Sequence, residues 1–209
     1  ALRPEMKSLL VPLVDPEVSE AQRVRLAHRL VGAPLETPEE AVAYVAAGER
    51  ILSGLADEVA RLHGWRLMLL RGNVDYQARV TYGRHESYLH IAAPEALEQQ
   101  LTPHIVSRVI FGAGGFNPES PGIEFSLSPR SAYFSRASSE RSTANRGIMH
   151  TKQESLAGSR YRRFHVICPG DTLLSQTGIY LNIATTALLV ALVEAGERPG
   201  DEVALANPV

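Results

Sequence analysis

The strongest constraint on the fold is a helix signal that begins at Thr37. The letters T-P-E-E at 37–40 combine an N-capping hydroxyl, a proline in the first turn and Glu40 three residues after the cap. Apolar residues then recur every three or four positions up to Gly64, a residue type that commonly ends helices. The pattern predicts a helix over residues 38–63.

Outside this helix the apolar residues follow both alternating and helical spacings. Strand-like runs predict strands over residues 65–70, 77–82, 87–92, 123–127 and 164–167. The first two strands are expected to form a hairpin. Helical spacing predicts a helix over 94–111, kinked at Pro103, and a last helix from Asp171 or Thr172 to a point before Gly196. Hairpin strands interspersed with long helices define an α+β class, with an antiparallel or mixed sheet carrying helices on one face.

Composition narrows the classes of function. The chain has 209 residues and a formal net charge of −2, so it has no overall basic field and no nucleic-acid partner is expected. Its single cysteine, Cys168, excludes an internal disulfide framework and fits a reducing compartment. The most apolar run, 179–193, falls short of the ~20 apolar residues of a membrane span and predicts a buried helix. We therefore expect a cytoplasmic protein without a membrane partner.

The first polar cluster is the run Y-G-R-H-E-S-Y-L at 82–89, at the entrance to a predicted strand. Because side chains alternate along a strand, His85 and Ser87 are predicted on one face, and Arg84 and Glu86 on the other. A neutral imidazole can ligate a metal ion, and a carboxylate can ligate or polarise one. This run is a candidate metal-binding segment.

The second cluster is the run R-Y-R-R-F-H-V at 160–166. Alternation places Arg163 and His165 on one face, opposite Arg162. Guanidinium groups within a strand need anionic partners, and phosphate oxygens match their planar fork. Arg130, just beyond another predicted strand, adds a third candidate for the same chemistry.

Each of these signals also fits a plain structural role. A strand histidine is commonly a hydrogen-bonded structural residue, and an arginine cluster can form a solvated face or an ion-pair network. The glycines at 112–115 lack the lysine and the spacing of a P-loop. Ser126 lacks the glycine elbow of a hydrolase nucleophile. The residues alone therefore identify no catalytic group.

A series of motifs resembles the family of Pup ligases and Pup deamidases, or depupylases. N-V-D at 73–75 and the run at 82–89 are similar to the family's N-x-D and Y-G-x-H-E-N-Y-L. Three later runs are similar to the family's L-S-Q-R, Y-R-R-L-H-V-I and G-T-T-A-L: S-L-S-P-R at 126–130, Y-R-R-F-H-V-I at 161–167 and T-T-A-L-L at 185–189. The order and spacing agree from about residue 38 onward.

The resemblance implies a glutamine-synthetase-like fold, in which a curved antiparallel sheet packed with long helices holds ATP and Mg²⁺ on its concave face. It also implies action on the C-terminal Glu or Gln of Pup, a small disordered protein modifier, either by ligation to a lysine or by amide hydrolysis. Such enzymes act on Pup and its protein conjugates as accessories of the proteasome. By correspondence, His85 and Glu86 are candidates on the metal side, and Arg130, Arg163 and His165 are candidates for nucleotide phosphate.

The chain also departs from the family pattern. The family's N-terminal G-x-E-x-E strand and its L-Y-x-D and H-P-E-Y runs, which supply metal carboxylates and a catalytic aspartate, have no visible counterpart. We therefore interpret residues 37–209 as a partial catalytic core and residues 1–36 as a helical segment without a clear family match. Three functions stay open: an ATP-dependent Pup ligase or deamidase-like enzyme, an inactive relative that binds nucleotide or protein, and a purely structural domain.

Overall fold

The computed structural model describes Ser19 and residues 35–139, 146–150, 160–167 and 175–206. The chain divides into two compact units, Ala1–Leu69 and Leu70–Val209. The helical segment predicted over residues 1–36 is described only at Ser19 and residues 35–36, so it stays a prediction. The two units are described separately below.

The N-terminal unit contains helix α1, Pro38–His63. The Oγ1 of Thr37 accepts a hydrogen bond from the backbone N–H of Glu40 at 3.2 Å, and Glu40 in turn accepts one from the N–H of Glu36 at 2.9 Å. Gly64 ends the helix with φ of 67°, a left-handed conformation in which an L side chain is disfavoured. The prediction of this helix is confirmed at both ends.

The hairpin that opens the C-terminal unit is shorter than predicted. Its strands are β1, Val74–Asp75, and β2, Val80–Thr81, which pair antiparallel. The Oδ1 of Asp75 accepts hydrogen bonds from the N–H groups of Gln77 and Ala78, which fixes the turn. Residues 65–70 are not a strand, so that prediction was wrong. Their side chains are exposed, and alternating apolar residues form a strand only where a neighbouring strand accepts their backbone hydrogen bonds.

The main sheet has four strands: β3 (Glu86–His90), β6 (Arg136–Ser139), β7 (Gly147–His150) and β8 (Arg162–Val166). Their order is β3-β8-β7-β6. The first two pairs are antiparallel, whereas β7 and β6 are parallel, so the sheet is mixed and the wholly antiparallel sheet implied by the resemblance is corrected at this edge. A further two-stranded pair joins β4, Gly115–Phe116, to β5, Phe125–Ser126.

Two helices pack with this sheet. Helix α2, Pro94–Ser107, continues past Pro103 and tightens into a 3-10 turn at Arg108–Phe111, which confirms the helix predicted over 94–111. Helix α3, Gln176–Glu194, begins after the N-cap Ser175; the predicted start at 171 or 172 falls outside the described residues. The described core contains these buried apolar side chains, among others: Leu97, Leu101, Ile105, Met149, Phe164, Val166, Ile167 and Val190.

Helix α3 is long and apolar enough, by length and composition, to cross a membrane, a test that core helices of soluble proteins also meet. In this fold it packs against α2 and β3, with Ile179 and Val190 buried. Leu181 and Leu188 are exposed on its other side. The helix predicted to be buried is therefore buried along one side.

Candidate functional site

The candidate site is a row of polar side chains on the open face of the sheet, carried by β3 and β8. These strands pair antiparallel with Ser87 opposite His165, so residues two positions apart on both strands share a face. Phe164 and Val166 are buried on the opposite face, where α2 packs against β8. His165 and Arg163 therefore meet Ser87 and His85, as alternation predicted.

Hydrogen bonds join the members of this row, and the Oγ of Ser87 lies 2.9 Å from the Nδ1 of His165. Arg163 donates from Nε to the Oγ of Ser87 at 2.9 Å, and its Nη2 lies 2.7 Å from the Nδ1 of His165. Because a guanidinium group can only donate, the Nδ1 of His165 is an acceptor and a neutral ring carries its proton on Nε2. That Nε2 lies 3.2 Å from the Nδ1 of His85. The bonds thus run in one chain from Arg163 through His165 to His85.

A third imidazole, that of His150 on β7, extends the row. His150 is the register partner of His165, and their ring centroids are 5.8 Å apart; those of His85 and His165 are 5.1 Å apart. Burial and the charge of Arg163 lower the pKa of His165 to about 3. Burial and the charges of Arg130 and Arg146 lower the pKa of His85 as well. At neutral pH both rings are therefore neutral donors and acceptors among fixed positive charges.

Arg130 approaches this row from the 3-10 turn Pro129–Tyr133. Its side chain is only 1% exposed, and its guanidinium lies 5.6 Å from the ring centroid of Phe134. The same guanidinium occupies the space where a Cβ on Gly83 would stand, so only glycine fits beside it. The structure brings the charge of Arg130 to His85 but keeps the group itself buried.

Glu86 is not brought together with His85. Its carboxylate lies on the core side, where Oε1 accepts from the Nη2 of Arg108 at 2.6 Å and from the Nη2 of Arg84 at 2.7 Å. Oε2 accepts from the Nη1 of Arg108 and from the hydroxyl of Tyr88. Burial raises the pKa of Glu86, but the hydrogen bonds and charge of Arg108, with the charge of Arg84, outweigh burial and hold that pKa at about 2. Both oxygens are thus engaged by cationic and phenolic donors.

Sequence reasoning missed several members of these two networks, namely Arg108, His150 and Arg146. Arg108 was detectable as a charge within the apolar run V-S-R-V-I-F at 106–111, where burial would demand a partner. His150 carried a weaker signal, since it follows the apolar Ile148 and Met149 at the end of β7. The partner of each residue depends on packing and could not be read from spacing.

The described residues do not by themselves provide a magnesium site. Within ranges 35–139, 146–150, 160–167 and 175–206, no three His, Cys, Asp or Glu side chains are grouped to hold a metal ion. Mg²⁺ prefers six oxygen ligands and usually binds through carboxylates and phosphates. His85 and Glu86 therefore stay predictions as metal ligands, and they lie on opposite faces of one strand.

The geometry defines a class of α+β proteins whose open sheet face carries arginines and neutral imidazoles, groups whose donors match anionic oxygens. Comparison narrows the class, because the family described as Pup-ligase protein matches residues 30–209. The chain belongs to the Pup-ligase family.

Three relatives illustrate the match. The chain is 40% identical over 194 residues to the Pup deamidase/depupylase of Mycobacterium tuberculosis, covering 88% of this chain and 38% of that protein. It is 35% identical over 187 residues to the Pup–protein ligase of a Nocardioides species, covering 83% of this chain and 41% of that protein. The solved structure of the Pup ligase PafA in complex with ADP matches with a TM-score of 0.63 and 29% identity, over 78% of this chain and 38% of that chain.

These matches confirm the family recognised in the sequence and the α+β, glutamine-synthetase-like fold. The chain spans about two fifths of the length of these two relatives.

Proposed function

We propose that this chain forms the phosphate-contacting part of an ATP-dependent enzyme that acts on a Glu or Gln side chain of a Pup-like protein modifier. The observation that carries the proposal is the convergence of Arg163, His165, Ser87 and His85 on one open sheet face, linked by hydrogen bonds of 2.7 to 3.2 Å. Arg130 and Arg146 add positive charge around the same imidazoles. The site thus suits a polyanion.

Each group has a distinct role in this proposal. Arg163 is half-buried, so its guanidinium is held in place yet reaches the open face, where it would contact a phosphate oxygen. His165 would hold Arg163 and His85 in place through a hydrogen bond to each of them. His85 is the exposed last member of this chain of bonds. Arg130 would act through its charge from beneath Gly83. A nucleotide phosphate, and the negative charge that develops on an acyl phosphate or tetrahedral oxyanion, need such preplaced donors.

The names of the relatives support the substrate and the cofactor. One relative is a Pup deamidase/depupylase, another is a Pup–protein ligase, and a solved relative holds ADP. Ligation and amide hydrolysis both require stabilisation of negative charge beside a carboxyl or amide carbon. We accordingly propose Pup and its protein conjugates as partners and the cytoplasm as the location. Mg²⁺ is part of this proposal as well, since it commonly binds nucleotide phosphates together with one or two carboxylates.

A second candidate is an inactive relative that binds nucleotide or protein. The two candidates share nucleotide binding and differ in turnover. Incubation with ATP and a Pup-like peptide ending in Glu or Gln, followed by detection of ADP or ammonia, separates them.

Calorimetric titration with ADP tests the shared step. We expect Arg163→Ala to weaken binding about 10- to 100-fold, because hydrogen bonds to charged groups contribute about 1.5–3 kcal/mol. Arg162→Ala is the matched control, since Arg162 is its neighbour on the same strand but bonds the carbonyl of Ala92 instead. Equal loss in both variants, or no heat from the unaltered chain, would contradict phosphate binding at this face.

A further inference from the structure

On the core side of β3, directly behind the candidate site, lies a buried ion pair that the proposed chemistry does not use. Glu86 and Arg108 are joined by two hydrogen bonds, Nη2 to Oε1 at 2.6 Å and Nη1 to Oε2 at 2.8 Å. Their side chains are 6% and 1% exposed. We call this pair the Glu86–Arg108 clamp. Such a two-pronged contact fixes direction as well as distance.

The Arg108 end of the clamp is itself anchored to α3. Its Nε donates to the Oδ1 of Asn182 at 3.0 Å, and its Nη1 lies 3.2 Å from the Oγ1 of Thr186. Thr186 also contacts the Nε2 of His104 on α2, at 2.9 Å. The clamp therefore ties β3 to both helices of the C-terminal unit.

The Glu86 end lies at the start of β3, between two residues of the candidate site: His85, which immediately precedes the strand, and Ser87. Glu86 follows His85 and precedes Ser87, and alternation turns it to the core while they face the open side. Among the described strands β3 is at the edge of the sheet, with β8 as its one neighbour. An edge strand has backbone restraints on one side, so its orientation depends more on side-chain anchors. Anchoring Glu86 on the core side therefore restrains the strand segment that carries His85 and Ser87 beside β8.

The energetics of buried ion pairs point the same way. Removing charges from water costs about as much as their attraction returns, so a buried pair adds little stability beyond what an apolar pair of similar volume would give. What it can add is a fixed geometry, because each partner accepts a single arrangement. This makes the clamp a candidate for positioning rather than for stability alone.

We propose that Glu86 and Arg108 are positioning residues that hold β3 so that His85 and Ser87 meet Arg163 and His165 at the phosphate-contacting face. The inference rests on the proposed function of that face for its consequence in binding, but its geometric part can be measured without any ligand. Glu86 in this view acts through its neighbours on the strand and touches no metal ion or nucleotide.

The test uses the 209-residue chain and two variants. Glu86→Gln removes the charge and keeps the shape, while the double variant Glu86→Leu, Arg108→Met replaces the whole clamp with apolar side chains. The double variant leaves neither clamp residue charged but also removes the carboxylate that Arg84 contacts, so its melting temperature is measured first to show that it folds. The control is Glu58→Leu, Arg61→Met, which removes an exposed pair 3.8 Å apart on α1.

Two readouts decide the proposal. The first is the ¹⁵N signals of the His85 and His165 rings, assigned by single histidine substitutions, which report the hydrogen bonds of the row. The second is the affinity for ADP. We expect the double variant to shift both ring signals and to bind ADP about 10- to 100-fold more weakly, the usual effect of losing a supporting contact behind a site. The control variant should leave both readouts unchanged.

The outcomes separate cleanly. If the folded double variant keeps the ring signals and the ADP affinity of the unaltered chain, the clamp is merely structural and the inference is overturned. If the unaltered chain binds no ADP while the variants still shift the ring signals, the phosphate proposal fails and the positioning role is upheld. If both readouts change together only in clamp variants, both proposals are supported.

Discussion

The two faces of strand β3 place arginines in different surroundings. On the core side, the carboxylate of Glu86 accepts hydrogen bonds from Arg108 and Arg84, so one negative charge lies against two guanidinium groups in the interior. On the open side, Arg163 donates to the hydroxyl of Ser87 and contacts the neutral imidazole of His165. One strand thus lies between a buried ion-pair network and the polar row of the candidate site. The comparison teaches that the groups an arginine contacts, rather than the number of arginines, distinguish a buried network from a candidate binding surface.

The largest effect should come from opening the core-side network. Arg108→Ala removes one partner of a buried pair and leaves the Glu86 carboxylate beside a void, which costs about 3–5 kcal/mol of the free energy of unfolding. Urea denaturation measures the loss. Arg162→Ala, at an exposed arginine, should change stability by less than about 0.5 kcal/mol. Similar losses in both variants would mean that burial of the ion pair does not set the cost of removing an arginine.

The next effect is the acid sensitivity of the core side. The folded pKa of Glu86 is about 2, below its unfolded value of 4.5. A depressed carboxyl pKa contributes stability above the unfolded value, so roughly 3 kcal/mol should be lost as pH falls from 4.5 to 2. Unfolding measured across this range checks the slope. Glu86→Gln should flatten it, and an unchanged slope in that variant would assign the acid loss to other carboxyl groups.

A third prediction concerns the close contact between Gly83 and the buried guanidinium of Arg130. Gly83→Ala places a methyl group where the buried guanidinium of Arg130 lies, so overpacking should cost about 1–3 kcal/mol and displace the charge from His85. Gly54→Ala in α1 is the control, because a Cβ there meets open space. That change should stabilise the chain by about 0.5–1 kcal/mol. Differential scanning calorimetry distinguishes the two signs, and equal shifts would mean that Arg130 moves freely.

The smallest expected effect is the pH response of the open side. The pKa of His165 is lowered to about 3 by burial and by Arg163, so the folded chain resists protonation that the unfolded chain accepts below pH 6.5. Stability from this group is present above pH 6.5 and declines as pH falls. Between pH 6.5 and 5, His165→Asn should lower the dependence of the melting temperature on pH. A steeper dependence in the variant would reverse the sign assigned here.

Local patterns predicted the helix and the faces because both depend on neighbours in sequence. The capping residues Thr37 and Glu40 fixed the start of α1, and alternation correctly separated His85 and Ser87 from Glu86. The pairing of Glu86 with Arg108 depends on how α2 packs, which spacing does not encode.

The strand predicted at 65–70 failed for a related reason. Its residues are strand-like in composition, but a strand also needs a partner, and the partner is a property of the whole fold. The parallel pairing of β6 with β7 was likewise beyond local reasoning. Roles for Arg130, Arg163, His165 and His85 remain predictions, although the structure gives them a shared neighbourhood.

The chain of hydrogen bonds from Arg163 to His85 has a polarity. The Nε2–H of His165 donates a hydrogen bond to the Nδ1 of His85. A neutral His85 ring therefore carries its own proton on Nε2, which is a donor and not an acceptor. The Nε2–H of His85 can donate to an oxygen atom of a ligand. A metal cation could bind this nitrogen only after the ring lost that proton or changed its tautomer and orientation. Arg163 thus sets the tautomer of His165, and through it that of His85, so that His85 is suited to bind an acceptor atom.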